Sequence, residues 1–407
     1  MKITNIPAEL VADILELVNE PLIHTRVCWL FNQVATPILY RKVHLYRHYN
    51  RGRRVHDIYL FLKTIINRPA LGQYVRYLIA DPYYATYHTS LDDLPSFVAE
   101  AASHGLSLEV QQAIAGGSIP AMLFLLLCYL PLQDLVIRVP GLGLSTRIFY
   151  QQMLVTSPFP SALQSVRSAK LSPWSIGDTP VSWEMIAPFF RLPSLQRFSC
   201  IHGFVDSTDS NDIPNPLPSS SRVEHIEFTH STIHKDILCA LIRSLHSLRT
   251  FIYEFVATAT VTFDPPSLGN ALRQHALNTL ERLEVTNISN VSTGLLGSLS
   301  DFVCLTHIKV SFSLLLDTQD GGAADSIAYQ LSAVLPCSIV SLTLLIDSAY
   351  QSNIIVLATD RLVKDRRERL VDLQRIELVG NFEQREREKF ELLSGEVEGL
   401  EILVTCV

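Results

Sequence analysis

His44 and His48 stand four residues apart, a spacing that would put two imidazoles on one helix face, where a divalent metal could bind. No third ligand follows at a useful spacing, so the reading is a solvated pair and no metal site is expected. The surrounding run, Arg41, Lys42, Arg47, Arg51, Arg53 and Arg54, is the sharpest local charge feature. It could hold phosphate or RNA. The 407-residue chain nevertheless carries a net charge of −7, and no aromatic stacking pattern accompanies the run, so no nucleic-acid partner is expected. Asp206, Asp209 and Asp212 fall in "VDSTDSNDIPNPLPSSSR" (205–222), which lacks the glycine turn and closing glutamate of a calcium loop and reads as an insertion. The stretch "DTQDGGAAD" (317–325) reads the same way. "GLG" at 141–143 has no third glycine in register, and no G-x-S-x-G, H-E-x-x-H or phosphate-loop pattern occurs. The expectation is a protein that is not an enzyme and uses no cofactor.

Cys28, Cys128, Cys200, Cys239, Cys304, Cys337 and Cys406 are odd in number and widely spaced, with no C-x-x-C. They read as buried thiols in a reducing compartment, which suits a cytoplasmic or nuclear protein. The first residues lack a basic stretch followed by an apolar one, so no secretory leader is expected. The most apolar segment, "IPAMLFLLLCYLPL" (119–132), is shorter than the roughly 20 residues needed to cross a bilayer and reads as a buried helix. No membrane partner is expected.

The elements that would position any site show themselves as a repeat. The phrase L-x-x-L-x-L recurs from "VRYLIA" at 75 through 132, 163, 195, 223, 248, 280, 305, 339 and 373 to "VEGLEI" at 397. At 373 it extends to a fourth position, Asn381. Its second and third apolar residues alternate inward on a short strand, the grammar of a leucine-rich repeat. Segments of helical period lie between copies, among them "HKDILCALIRSLHS" (234–247) and "VSTGLLGSLSDFVC" (291–304). "DRLVKDRRERL" (360–370) and "EQREREKFELL" (383–393) read as the solvent sides of two more helices. One strand–helix unit cannot bury its apolar face alone, so neighbours must stack. The expected fold is an α/β solenoid, a horseshoe of parallel strands and helices over 131–407. Residues 46–130 would be a linker and capping region with one blurred repeat between 80 and 130. A doubly wound α/β domain is the competing fold.

Residues 1–45 do not fit the repeat. Proline at 7, 21 and 37 suits the first turn of three short helices, 7–18, 21–35 and 37–42. They carry more apolar residues than they can cover among themselves, so another surface must help. "IPAELVADILELV" (6–18) and "RVCWLFNQVATPILYRKVHL" (26–45) resemble an F-box motif. The match lies in its proline–acid–leucine opening, Ile14–Leu15, Val27–Cys28, Phe31–Asn32 and the Pro37, Leu39, Tyr40 ending. "FLKTIINRPALGQYVRYLIAD" (61–81) is similar to the segment that follows the F-box in fungal F-box proteins with degenerate leucine-rich repeats.

The resemblance implies a substrate receptor of an SCF-type ubiquitin ligase. A Skp-family adaptor, with a cullin behind it, would dock on Ile6, Pro7, Leu10, Ile14, Leu15, Val27, Cys28, Phe31, Pro37, Leu39 and Tyr40. The repeats would select the protein to be ubiquitinated. A repeat scaffold with a vestigial F-box, and an enzyme on an α/β frame, remain as other readings. Strand alternation sends the residues flanking the inner apolar positions to the concave face. There they nominate Asp134, Arg138, Arg197, His225, Glu227, Glu254, Arg282, Glu284, His307, Lys309, Arg375, Glu377 and Glu401 for an unknown protein partner.

Overall fold

A computed structural model describes residues 29–45, 57–82, 92–139, 161–173, 180–205, 221–258, 261–288, 294–316, 324–346, 352–395 and 399–405. The chain forms two compact units, 1–198 and 199–407.

In the first unit, helix α1 (Trp29–Arg41) leads into strand β1 (Lys42–Leu45), and α2 (Asp57–Asn67) and α3 (Pro69–Gly72) lead into β2 (Tyr77–Ala80). Helices α4 (Leu94–Ser103), α5 (Leu108–Ala115) and α6 (Ile119–Leu127) fill the crossover to β3 (Asp134–Val139), which is followed by β4 (Ser168–Pro173). A short strand β5 (Val181–Ser182) and helix α7 (Trp183–Ile186) precede β6 (Arg197–Ile201), whose first two residues close the unit. Strands β1 to β4 run parallel in sequence order. Every residue of α6 is buried, as its all-apolar sequence requires, and among the described residues no helix is long and apolar enough to cross a membrane. The region with a blurred repeat is thus a helical crossover with no strand among its described residues.

The second unit continues with β7 (Gly203–Val205), β8 (His225–Ile233), α8 (Lys235–Arg243), β9 (Thr250–Phe255), α9 (Pro265–His275), β10 (Arg282–Asn287) and β11 (His307–Ser311). Then come α10 (Ala324–Val334), β12 (Ser341–Leu345), α11 (Ser352–Asp365), β13 (Arg375–Val379), α12 (Gln384–Gly395) and β14 (Glu401–Thr405). Strands β8 to β14 are parallel neighbours in sequence order. The repeat phrase explains why. Leu283, Ile308, Leu342 and Ile376 stand in register across four strands, and all are buried, each from a short apolar–polar alternation. Right-handed crossovers through helices are how parallel strands connect. A side chain caps the head of α9, where Asp264 accepts from the Ser267 amide at 3.1 Å.

The structure revises several expectations. The copy placed at 163 begins at Val166, because Ala169 and Leu171 pair with Leu135 and Ile137. Leu163 and Val166 are both fully buried, so the phrase fits either start and the pairing with β3 decides. The last copy moves from 397 to 399, where Gly399 replaces the first leucine, since Ile376 faces Ile402. A further copy, Tyr40-Arg-Lys-Val43-His-Leu45, begins inside the F-box-like stretch, because Val43 and Leu45 pair with Leu78 and Ala80. The break expected at Pro37 is absent: α1 runs through it. Packing overrides the lost hydrogen bond there, with Ala35 fully buried on one side and Tyr40 stacked on Phe61 at 6.2 Å on the other.

The segment 291–304 is not a helix in its described part, 294–304. Leu296, Leu299 and Phe302 are buried at a spacing of three, which imitates a helical stripe. Gly294 (φ 104°) and Gly297 (φ 82°) take left-handed backbone that ends any helix. Arg273 of α9 then holds the Leu296 and Ser298 carbonyls at 3.2 and 3.1 Å. Finally, Cys304 and Cys337 are exposed rather than buried, whereas Cys200 is buried and its thiol pushed far up by desolvation. The five described cysteines are all free.

Candidate partner-binding face

Along each strand from β8 to β13 the residues alternate between the core and an open sheet face. In β10, Leu283 and Val285 turn inward while Arg282, Glu284 and Thr286 stay at least partly accessible. Register stacks those outward residues into rows that cross the strands. Arg282 lies between Thr250 and His307, His307 faces Ser341, and Ser341 faces Arg375, which faces Glu401. Two residues further along, Glu284 lies between Ile252 and Lys309, Lys309 faces Thr343, and Thr343 faces Glu377.

His225, Glu227, Glu254, Arg282, Glu284, His307, Lys309, Arg375 and Glu377 therefore share the face of the second unit. Arg197, the exposed first residue of β6, belongs to the first unit. Asp134 and Arg138 are half-buried on β3 of that unit. What reading charges alone missed is the uncharged lining. Thr250, Ser341, Thr343, Leu345 and Val379 occupy equivalent places, and only counting from the repeat phrase would have found them.

The charges are organised. Arg282 donates from Nε to Glu284 Oε1 at 2.6 Å, and Lys309 Nζ stands 3.9 Å from Oε2 of the same carboxylate. Arg375 lies 3.6 Å from Glu377, which also accepts from the hydroxyls of Thr343 and Thr405 at 3.3 Å each. His225 Nδ1 and Thr250 Oγ1 are 2.9 Å apart, as are His307 Nδ1 and Thr306 Oγ1. A hollow of about 310 Å³ opens over β10 to β13, lined by Arg282, His307, Lys309, Thr343, Leu345 and Val379 among others.

Glu254 serves a different purpose. It accepts from the His230 amide at 3.1 Å and pairs with its Nδ1 at 2.6 Å, beside the bulge that interrupts β8 between Phe228 and Ser231. His202 packs edge-on against the His230 ring, with centroids 5.4 Å apart, and both histidines have left-handed backbone (φ 55° and 49°). The Nε2 of His202 is buried without a partner. Burial, and then the neighbouring His230, push the His202 imidazole below its ordinary pKa, although Glu254 pulls the other way. A depressed folded pKa contributes stability that is complete above the ordinary imidazole value and is lost as pH falls through the folded one. Between about pH 7.5 and about pH 5, the wild-type Tm should therefore fall further than that of His202→Asn, which tolerates the same backbone and cannot titrate. Parallel profiles would show that His202 carries none of the pH response.

The adaptor-docking candidates are placed unevenly. Ile6, Pro7, Leu10, Ile14, Leu15, Val27 and Cys28 lie outside the described residues, as do His48 and the 141–143 glycines. Phe31, Pro37, Leu39 and Tyr40 fall on α1, where Pro37, Leu39 and Tyr40 are half-buried and Tyr40 already contacts its own chain. His44 points its ring toward Tyr77, 6.0 Å away, and no cluster of three metal-ligating side chains occurs among the described residues.

No curated protein matches this sequence. Residues 162–376, over half of the chain, match the family model of the leucine-rich repeat domain. Parallel strands that bury the second and third apolar residues of a recurring L-x-x-L-x-L phrase and alternate with helices are the physical content of that match, and the chain belongs to the leucine-rich repeat family.

Proposed function

We propose that this chain is the substrate-recognition subunit of an SCF-type ubiquitin ligase, acting in the cytoplasm or nucleus and performing no chemistry itself. Leucine-rich repeat domains generally bind protein partners, and the polar open face of the second unit suits that role. The observation that carries the ligase reading is the F-box-like sequence of residues 6–45, whose last four residues form the first repeat strand. A Skp-family adaptor would dock on its apolar residues, bringing a cullin with it, and the repeats would hold the target.

One observation favours a repeat scaffold without a ubiquitin role. Tyr40, part of the F-box-like ending, stacks on Phe61 and starts the first repeat copy, so that residue already has a structural use. A pull-down of the full chain with a purified Skp-family adaptor separates the two. Leu10→Asp with Ile14→Asp should reduce capture by about a hundredfold or more, as expected when charges enter an apolar interface core. Failure of the wild type to bind would leave the scaffold reading.

A further inference from the structure

The open face of the second unit presents more positive charge than its composition suggests. Over β10 to β13, two arginines and one lysine stand against two glutamates, a slight excess of cations in a chain whose overall charge is −7. Their depth is not balanced. In the Arg282–Glu284 pair the arginine side chain is 54% exposed and the glutamate 13%. Lys309, beside the same carboxylate, is 45% exposed. In the Arg375–Glu377 pair the arginine is 45% exposed and the glutamate 26%.

Each carboxylate sits low, tied to its neighbours, while the cation stands outward. Glu377 also accepts from the Thr343 and Thr405 hydroxyls, so both of its oxygens are already engaged within the sheet. His307 adds an exposed imidazole in the same row, fixed by the Thr306 hydroxyl. An incoming molecule thus meets guanidinium, ammonium and imidazole groups first. Next to them, toward the strand ends, lie the half-buried apolar side chains of Leu345 and Val379.

We propose that the hollow over β10 to β13 binds an extended acidic segment of a partner protein. Its anionic side chains would lie along Arg282, His307, Lys309 and Arg375, with an apolar residue seated against Leu345 and Val379. The attraction is between fixed, accessible cations and a flexible anion, so it sets orientation and partner choice and weakens with salt. A carboxylate or a phosphate would satisfy the same groups, since a guanidinium matches either in bidentate geometry. This inference rests on the protein-binding reading of the face and is independent of the F-box.

The test is fluorescence anisotropy on the full chain, with three short labelled peptides: glutamates flanking a central leucine, the same with lysines, and the same with one glutamate replaced by phosphoserine. The acidic peptide should bind at least about tenfold more tightly than the basic one and lose affinity as salt rises. Arg282→Gln with Lys309→Gln should weaken it by about tenfold, whereas Lys364→Glu, on α11 away from the strands, should leave it unchanged. The neutral pair spares the protein a cluster of like charges at Glu284, and a Tm equal to wild type confirms that it is folded. Tighter binding of the phosphoserine peptide would assign the phosphate form, and equal or weaker binding the carboxylate form. Equal affinity for acidic and basic peptides, binding of neither, or full binding by the glutamine pair would overturn the proposal. A preference for the basic peptide would overturn it while leaving protein binding at this face intact.

Discussion

Replacing Gly269 by alanine should unfold the second unit at markedly lower urea, a loss of about 3 kcal/mol. Helix propensity argues the opposite, because alanine in place of glycine inside a helix gains about 1 kcal/mol. Space decides the sign. A Cβ at residue 269 would stand 1.9 Å from the Leu296 carbonyl oxygen and 2.9 Å from its carbon. Both are backbone atoms, and they cannot swing aside as a side chain can. The Leu296 amide donates to the Leu314 carbonyl at 2.8 Å, and Arg273 holds the Leu296 and Ser298 carbonyls, so the 294–300 segment is tied on both sides. Gly395 is the control: nothing lies within 4 Å of its added Cβ, so Gly395→Ala should be neutral or slightly stabilising. A Gly269→Ala protein as stable as wild type would mean that α9 can move away from this loop.

Truncating Tyr253 should cost about 3 to 5 kcal/mol, the range for emptying a large aromatic site in a core. Tyr253 is 1% exposed, and its ring meets those of Phe251, Phe255 and Phe263 at centroid distances of 6.3, 6.1 and 5.7 Å. Its hydroxyl accepts from the Ile233 amide at 3.2 Å, and burial pushes the phenol far above its ordinary pKa, which keeps it neutral. Two substitutions separate these roles in urea unfolding. Tyr253→Phe keeps the rings and strands one buried amide, a cost of about 1 to 3 kcal/mol. Tyr253→Ala loses the ring contacts as well. If the two variants proved equally stable, the hydroxyl rather than the ring cluster would be the part that matters.

Much of the architecture is legible before any coordinates. The phrase at 248, 280, 305, 339 and 373 names residues that end up buried and in register, because burying alternate side chains on a short strand leaves a period-two trace. The same alternation assigns Arg282, Glu284, His307 and Lys309 to one face. Nine consecutive buried residues in α6 announce themselves by being apolar all round.

Other features are decided by partners distant in sequence. Leu163 and Val166 both satisfy the pattern, and only β3 selects between them. Tyr40 reads as the end of a docking motif until Val43 and Leu45 are seen to pair with β2. The spacing of Leu296, Leu299 and Phe302 imitates a helix, since a period of three records which residues are buried and says nothing of where their carbonyls bond. The bulge at His230, with His202 against it, has no sequence signal at all.

For this protein, then, the order of residues determined a parallel repeat of strands and helices, its core, and the side chains on its open face. Periodic burial is a local property, and the chain records it directly. Tertiary structure alone decided the register of the copy at 166 and of the last copy, the irregular backbone after Gly294, and how deep each charge on the open face lies. Those depend on hydrogen-bond partners and on the depth of each side chain among neighbouring strands, and neither is written in a residue's own surroundings along the chain.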